Sequence, residues 1–283
     1  MGDGFVAARR RLFFVPVPKV ASHTLLRLLY ELEGVPVPER LPGVPNIHAR
    51  GPGSLPGLRS LADVDRLAVL TGANYLRFTV VRNPYTRLVA AWFGKIWLQS
   101  GDALPTQREV SRWVGRAEDD PPTFREFVSW LCETQSPQNC DIHWRPMFHL
   151  LDHDRIDFDV IGRVERLVPT LSPVARHLGL ADDDLAALIT RYSGNRSIPF
   201  DRRGLFDAPV AAQVAEFYAS DFDRYGYALG SWQDLVAEEP PSAAKLEEAA
   251  VLAIRRRAAT IVNLNRSLSE AWRSAANRSG SPD

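Results

Sequence analysis

The sequence predicts an α/β protein: a central parallel sheet flanked by helices, with one long helix added at the C-terminal end. Three observations carry this. A short apolar run followed by a helical pattern occurs twice, over residues 12–32 and 76–98. A third apolar run, at 159–162, precedes helical periodicity from Leu167 to Leu178. Beyond residue 241, Leu246, Ala250, Ala253, Ile254, Ile261, Leu264 and Leu268 fall near heptad spacing in a stretch rich in Ala, Leu, Arg and Glu.

Each element has its own signal. Leu12-Phe13-Phe14-Val15-Pro16-Val17 lacks polar alternation, as a strand covered on both faces requires. Leucines at 25, 26, 28, 29 and 32 then have the spacing of a helix packed on a sheet. Residues 34–57 hold six prolines and five glycines, which predicts a long irregular loop containing Asn46-Ile47-His48. Leu76 to Val81 reads as the second strand, and Pro84 suits the first turn of a helix running to about Leu98. Thr123 and Glu126 form a capping-box pattern ahead of Phe127, Val128, Trp130 and Leu131. Further helices are read over 185–192 and 210–218. Glu238-Glu239-Pro240-Pro241 reads as a linker. The chain thus divides into a main domain over 1–236, a linker over 237–241, an amphipathic helix over 242–275 with the character of an oligomerisation arm, and a flexible tail over 276–283.

Composition excludes some classes of function. A chain of 283 residues, 45% hydrophobic, buries one sizeable core. Lys and Arg balance Asp and Glu at 34 each, so no net field marks a binder of nucleic acid or of an anionic membrane, and any anion site is local. Cys132 and Cys140 match no zinc spacing and are too few for a disulfide scaffold, which gives a reduced, cytoplasmic setting as the expectation. The apolar run after Arg9-Arg10-Arg11 is broken at Pro16 and Pro18, so neither a membrane span nor a signal-peptide core is expected.

Two stretches carry chemistry. Pro18-Lys19-Val20-Ala21-Ser22-His23-Thr24 lies where the first strand ends and the first helix begins, the edge at which open α/β sheets bind ligands. Backbone N–H groups at a helix start can hold an anion, Lys19 can place a charge on a leaving bridging oxygen, and Ser22 or Thr24 can add hydroxyl donors. The competing reading is a Pro-Lys turn with Ser22 as N-cap. The triphosphate-binding Gly-x-x-x-x-Gly-Lys-Ser/Thr is absent. The second stretch, Val80 to Trp92, puts Arg82 at a strand end beside a helix start, where a guanidinium can bind a phosphate through two parallel bonds or simply cap the sheet edge. Arg87 reads as a structural ion-pair residue on that helix.

Together these stretches resemble the sulfotransferases that use 3′-phosphoadenosine 5′-phosphosulfate (PAPS), and in particular the carbohydrate sulfotransferase group, sulfotransferase family 2. The resemblance continues through Ile142-His143-Trp144-Arg145-Pro146-Met147, through the block from Phe158 to Leu167, through Asn195-Arg196-Ser197, and through Phe217-Tyr218 to Asp221-Phe222 and Tyr225-Gly226-Tyr227. It spans residues 12 to 228 and implies a P-loop-like three-layer fold. It implies a donor site in which Lys19, Val20, Ala21, Ser22, His23 and Thr24 hold the phosphosulfate. Arg82 and Arg87 hold the 3′-phosphate, with further contacts from Asn195 and Ser197, and no metal. Ala90 stands where the family usually has a phosphate-binding serine. The implied activity is sulfuryl transfer to a hydroxyl or amine of a glycan or glycosylated small molecule, leaving 3′-phosphoadenosine 5′-phosphate (PAP); the alternative is a non-catalytic relative that binds a nucleotide or glycan.

For the proton of the acceptor, histidine is favoured because its ordinary pKa lies near working pH. His143 stands first because it falls in a matched motif; its other reading is a residue that orients a loop. His23, inside the donor loop, can touch the transferring group or face solvent. His48 can face an acceptor or decorate a surface loop. His149, His153 and His177 read as structural or exposed. Glu165 reads either as a positioning group or as an ion-pair partner of Arg163 or Arg166. Most tryptophans read as core.

Overall fold

The computed structural model describes residues 4–41, 44–98, 104–192, 202 and 204–237. Asn195, Ser197, the linker and the C-terminal helix lie outside them.

The chain opens with β1 (Phe5–Ala7) and β2 (Leu12–Val15), an antiparallel pair, followed by α1 (Ser22–Glu33). All four residues of β2 are buried, as the unbroken apolar run requires. Gly34 closes α1 in the left-handed region at φ 66°, a conformation that favours glycine. The long loop is irregular except for β3 (Glu39–Leu41) and β4 (Val44–Pro45), which pair antiparallel. Next come α2 (Asp63–Thr71), β5 (Leu76–Val81) and α3 (Pro84–Ala91), with Pro84 in the first turn as expected.

The helix predicted to run to Leu98 instead ends at Ala91 and continues as a π-helical turn over Trp92–Trp97, in which the Leu98 N–H reaches the Phe93 carbonyl at 3.0 Å. After it come α4 (Leu104–Trp113), α5 (Phe124–Thr134), the short α6 (Met147–Leu150) and β6 (Val160–Arg163). The periodicity over 167–178 resolves into α7 (Leu167–Thr170) and α8 (Ser172–Leu178), because Pro173 starts a new helix at its first turn. The described chain ends with α9 (Asp182–Tyr192), α10 (Ala208–Phe217), α11 (Ala219–Tyr225) and α12 (Trp232–Ala237).

The sheet order is β1-β2-β5-β6. It is mixed and not wholly parallel: β2, β5 and β6 run parallel, but the edge strand β1 is antiparallel. Three residues of strand give no readable period, which is why β1 escapes the sequence. The register pairs Val15 with Thr79 and Val81 with Arg163, so the three parallel strands deliver their carboxyl ends to one edge of the sheet. The Thr79 hydroxyl donates to the Val15 carbonyl at 2.8 Å inside the core and ties β2 to β5 there.

One apolar cluster fills the space around the sheet, α1, α8 and α9. A second joins α3, the π-helical turn, α5, α10 and α11. The capping box at the start of α5 forms in full: Glu126 N–H donates to Thr123 Oγ1 at 3.3 Å, and Thr123 N–H to Glu126 Oε2 at 2.7 Å. Thr123→Ala should cost about 1 kcal/mol of stability, measured as a shift in the urea midpoint at unchanged slope; an unchanged midpoint would mean that packing of Phe124 and Phe127 alone holds this helix end.

Candidate active site

The sheet edge sets the layout. From β2 the chain enters the loop to α1, from β5 it delivers Arg82, and from β6 it runs to Glu165. In the first loop Lys19 (φ 69°) and Ala21 (φ 58°, ψ 19°) both occupy the left-handed region without being glycine. Each such residue costs on the order of 1–2 kcal/mol, a strain that clusters at functional sites. Ala21, not Ser22, is the N-cap of α1, and no side chain caps that end. A helix start of this kind, reached through left-handed residues, favours an anion. Val20 anchors the loop in the core with no exposed surface. Lys19 Nζ lies 2.8 Å from where a Cβ on Gly94 would stand, so the missing side chain makes room for the ammonium beside the π-helical turn.

Two arginines hold this loop from outside. Arg87 Nε donates to the Pro18 carbonyl at 3.1 Å, and Arg82 Nη1 to the Lys19 carbonyl at 3.2 Å. Arg82 is neither a surface cap nor loose: its Nε also donates to Thr86 Oγ1 at 2.9 Å. Burial pushes the guanidinium down to about 10; Glu165 and Tyr227 oppose this, while Arg202 and Arg87 add to it, and the group remains charged at neutral pH. Glu165 takes neither of its expected arginine partners as a hydrogen-bond donor. Instead it accepts the Asn83 N–H at 2.7 Å and the Tyr227 hydroxyl at 3.1 Å, while the Arg163 guanidinium stacks over the Tyr227 ring at 4.7 Å. Beyond the end of β5, Arg82 thus lies in the field of Glu165, Arg202 and Arg87 together.

The other side of the donor loop faces histidines. Asp141 Oδ1 accepts from His143 Nδ1 at 2.7 Å and from the His143 amide at 2.8 Å. Burial opposes ionisation of Asp141, but these bonds, the His143 charge and Lys95 hold it below the usual carboxylate range. The rings of His23 and His48 meet edge-on, 5.1 Å between centroids, so the proline-rich loop returns to the donor loop. Desolvation by the surrounding protein, followed by His48, Arg27, Lys19 and Lys95, pushes His23 down to about 4. His48 is lowered by desolvation and then by Arg50 and His143. Lys19, His23, His48, Lys95 and the Asp141–His143 pair therefore share one electrostatic neighbourhood. His153 and His177 stand apart, bonded to the Tyr225 hydroxyl and the Arg10 carbonyl, each at 2.9 Å.

The Tyr-x-x-Asp segment acts as scaffolding for this face. Tyr218 donates to the Trp144 carbonyl, and Asp221 accepts the Met147 and Phe148 N–H groups at 2.9 and 2.7 Å. Arg87, with no exposed surface, donates Nη1 to the Arg145 carbonyl at 2.8 Å and Nη2 to the Ile142 carbonyl at 3.2 Å. Its structural role is therefore that of a buried guanidinium bonded to three backbone carbonyls in place of the expected ion pair. Lys95, Gly94 and Asp141 had no role in the sequence reading, and Tyr227 stood only as the end of a matched segment; Asp141-x-His143 carried a further signal, an aspartate two residues before a histidine, which can bond both its amide and its ring. Among the described residues no group of three or more His, Cys, Asp or Glu is placed to hold a metal.

Burial pushes Asp221 up to about 6, against the pull of Arg87 and its two N–H donors. The folded chain thus holds this proton more tightly than the unfolded chain, where the carboxyl titrates near 3.9. Stability from this group is lost as pH rises from about 4 through about 6. In urea titrations, the wild-type advantage over Asp221→Asn should shrink by about 1–3 kcal/mol between pH 4 and pH 7; an advantage that grows with pH would show that Arg87 outweighs burial.

The family profile described as Sulfotransferase family matches residues 3–228. The chain is similar to carbohydrate sulfotransferase 12 of Xenopus laevis, 26% identical over 54% of this chain and 40% of the relative. It is also similar to carbohydrate sulfotransferase 11 of Danio rerio, 25% identical over 79% and 66%, and to carbohydrate sulfotransferase 14 of Mus musculus, 31% identical over 57% and 43%. The chain thus spans less than two thirds of the length of these relatives. No solved structure matches it. Among the described residues no helix is long and apolar enough to cross a membrane. The cytoplasmic setting expected from two cysteines is overturned by the comparisons, whose relatives are carbohydrate sulfotransferases. Both thiols are free and raised by burial, Cys132 to about 12 and Cys140 to about 11, and such inert core thiols give no information about compartment. With its match running from residue 3 to residue 228, the chain belongs to the sulfotransferase family.

Proposed function

We propose that the chain transfers a sulfuryl group from PAPS to a hydroxyl of a carbohydrate acceptor, using Lys19, Arg82 and the Asp141–His143 pair. The observation that carries this reading is the strained Lys19 loop, bonded by two arginines and sharing an electrostatic neighbourhood with a histidine that has its own carboxylate. A working unit of P-loop-like type over residues 1–236 is supported by a family match over residues 3–228.

Each chemical requirement has a residue. Arg82 is the candidate for the donor's 3′-phosphate, because a guanidinium fixed at a strand end binds a phosphate through parallel bonds. The start of α1 and the Ser22 hydroxyl are candidates for the 5′-phosphosulfate. PAPS supplies the activated sulfuryl group, and transfer forms a bond from the acceptor oxygen to sulfur as the bond from sulfur to the bridging phosphate oxygen breaks. Lys19 would stabilise the negative charge left on that bridging oxygen. Asp141 accepts from His143 Nδ1–H, which leaves the lone pair on Nε2 to take the acceptor's proton. His23, held neutral, is placed to orient the acceptor without repelling Lys19.

The roles separate experimentally. Lys19→Ala should lower transfer by about 10²–10³-fold while PAP binding changes little. Arg82→Ala should weaken PAP binding by about 10–100-fold in calorimetry, with ATP and AMP as controls. Equal effects of both variants on affinity alone would contradict the assignment, and failure of the wild type to bind PAP would point to a non-catalytic relative.

A further inference from the structure

A buried guanidinium is expensive. Moving it out of water costs several kcal/mol, and a well-packed apolar side chain of similar volume often serves stability as well or better. Arg87 has no exposed surface, and its three hydrogen bonds run to neutral carbonyls. What an apolar residue cannot do is bond three carbonyls on two separate segments at once, and the planar fork of arginine can.

Those segments are the ones the reaction uses. Nε holds Pro18, next to the left-handed Lys19, while Nη1 and Nη2 hold Arg145 and Ile142, on either side of His143. Arg87 itself projects from α3, whose N-cap Asn83 donates its amide to Glu165 at the end of β6 and accepts the Tyr85 N–H at 3.0 Å. The plane that joins the two loops is thus fixed to the sheet edge.

We propose that Arg87 is a positioning residue for the transfer reaction: one guanidinium, bonded to the Lys19 loop and to the His143 loop, sets the separation between the group on the leaving oxygen and the group that takes the acceptor's proton. The inference rests on the sulfotransferase reading for the chemistry of the two loops, but the coupling of the loops does not depend on it. Arg87 acts through Lys19 and His143 and does not touch the donor.

The test uses the full chain, with water standing in for the acceptor and PAPS turnover to PAP and sulfate as the readout, since that reaction needs the same two groups. In Arg87→Lys, kcat should fall by about 100-fold, the loss expected of a small misplacement, while the KM for PAPS and the PAP affinity stay within about 3-fold. Hydrogen exchange should rise together in peptides covering 17–22 and 141–146. A KM and a PAP dissociation constant that rise in step with the loss of turnover would make Arg87 a donor ligand and overturn the proposal, as would faster exchange in one segment alone. Should Arg87→Lys fail to fold, native-state exchange of the wild type in low urea decides: coincident opening of both segments supports coupling, and separate openings overturn it. If the wild type neither binds PAP nor turns over PAPS, the sulfotransferase reading fails, while the exchange result still decides the coupling.

Discussion

A loop that places two non-glycine residues in the left-handed region cannot hold that shape by local preference, so the loop between β2 and α1 must be held by bonds made elsewhere. Much of the rest of the molecule can be read as meeting this condition. Parallel register between β2 and β5 brings Arg82 and Arg87 to the loop from the second strand–turn–helix unit. Register between β5 and β6 brings Glu165 to the turn that carries Arg82. Tyr218 and Asp221, far along the chain, hold the segment against which Arg87 rests.

Electrostatics follow the same local logic. The chain as a whole carries no net charge, yet its sheet edge collects arginines and lysines around few carboxylates. Such an arrangement agrees with the proposed donor, which carries more than one anionic group. Desolvation first, and then neighbouring charges, hold His23 and His48 below the ordinary histidine range. A neutral imidazole can take a proton and does not compete with Lys19 for negative charge.

Much of this was legible in the sequence, and the reasons for the rest are specific. Residues 12–15 announce themselves as an apolar run because a strand buried throughout has no polar position to disguise it, and 76–81 and 160–163 keep enough apolar residues to be read despite Arg77, Thr79 and Arg163. The capping box at Thr123 was readable because both partners lie within four residues. Lys19, Arg82 and His143 stood out through motif order. Arg87 was read as a structural ion-pair residue because its hydrogen-bond partners are backbone carbonyls, which leave no trace in side-chain identity. His48 was left undecided because its neighbour His23 is brought to it by a proline-rich loop whose path no local pattern determines. The π-helical turn was invisible for a related reason: Trp92 to Trp97 carries no residue pattern that separates a π-helical turn from an α-helical one.

That turn has a consequence of its own. A π-helical turn holds one more residue than the α-helical turn it replaces, so everything after it is rotated by roughly 100° about the helix axis relative to an unbroken helix. Gly94 and Lys95 lie inside this offset, one beside the Lys19 ammonium and the other in the field of His23 and Asp141. Loss of a single residue between Trp92 and Trp97 would return the segment to α-helical phase and turn Lys95 away from His23 and Asp141. Length at this one turn, more than residue type, therefore sets where the Lys95 charge stands.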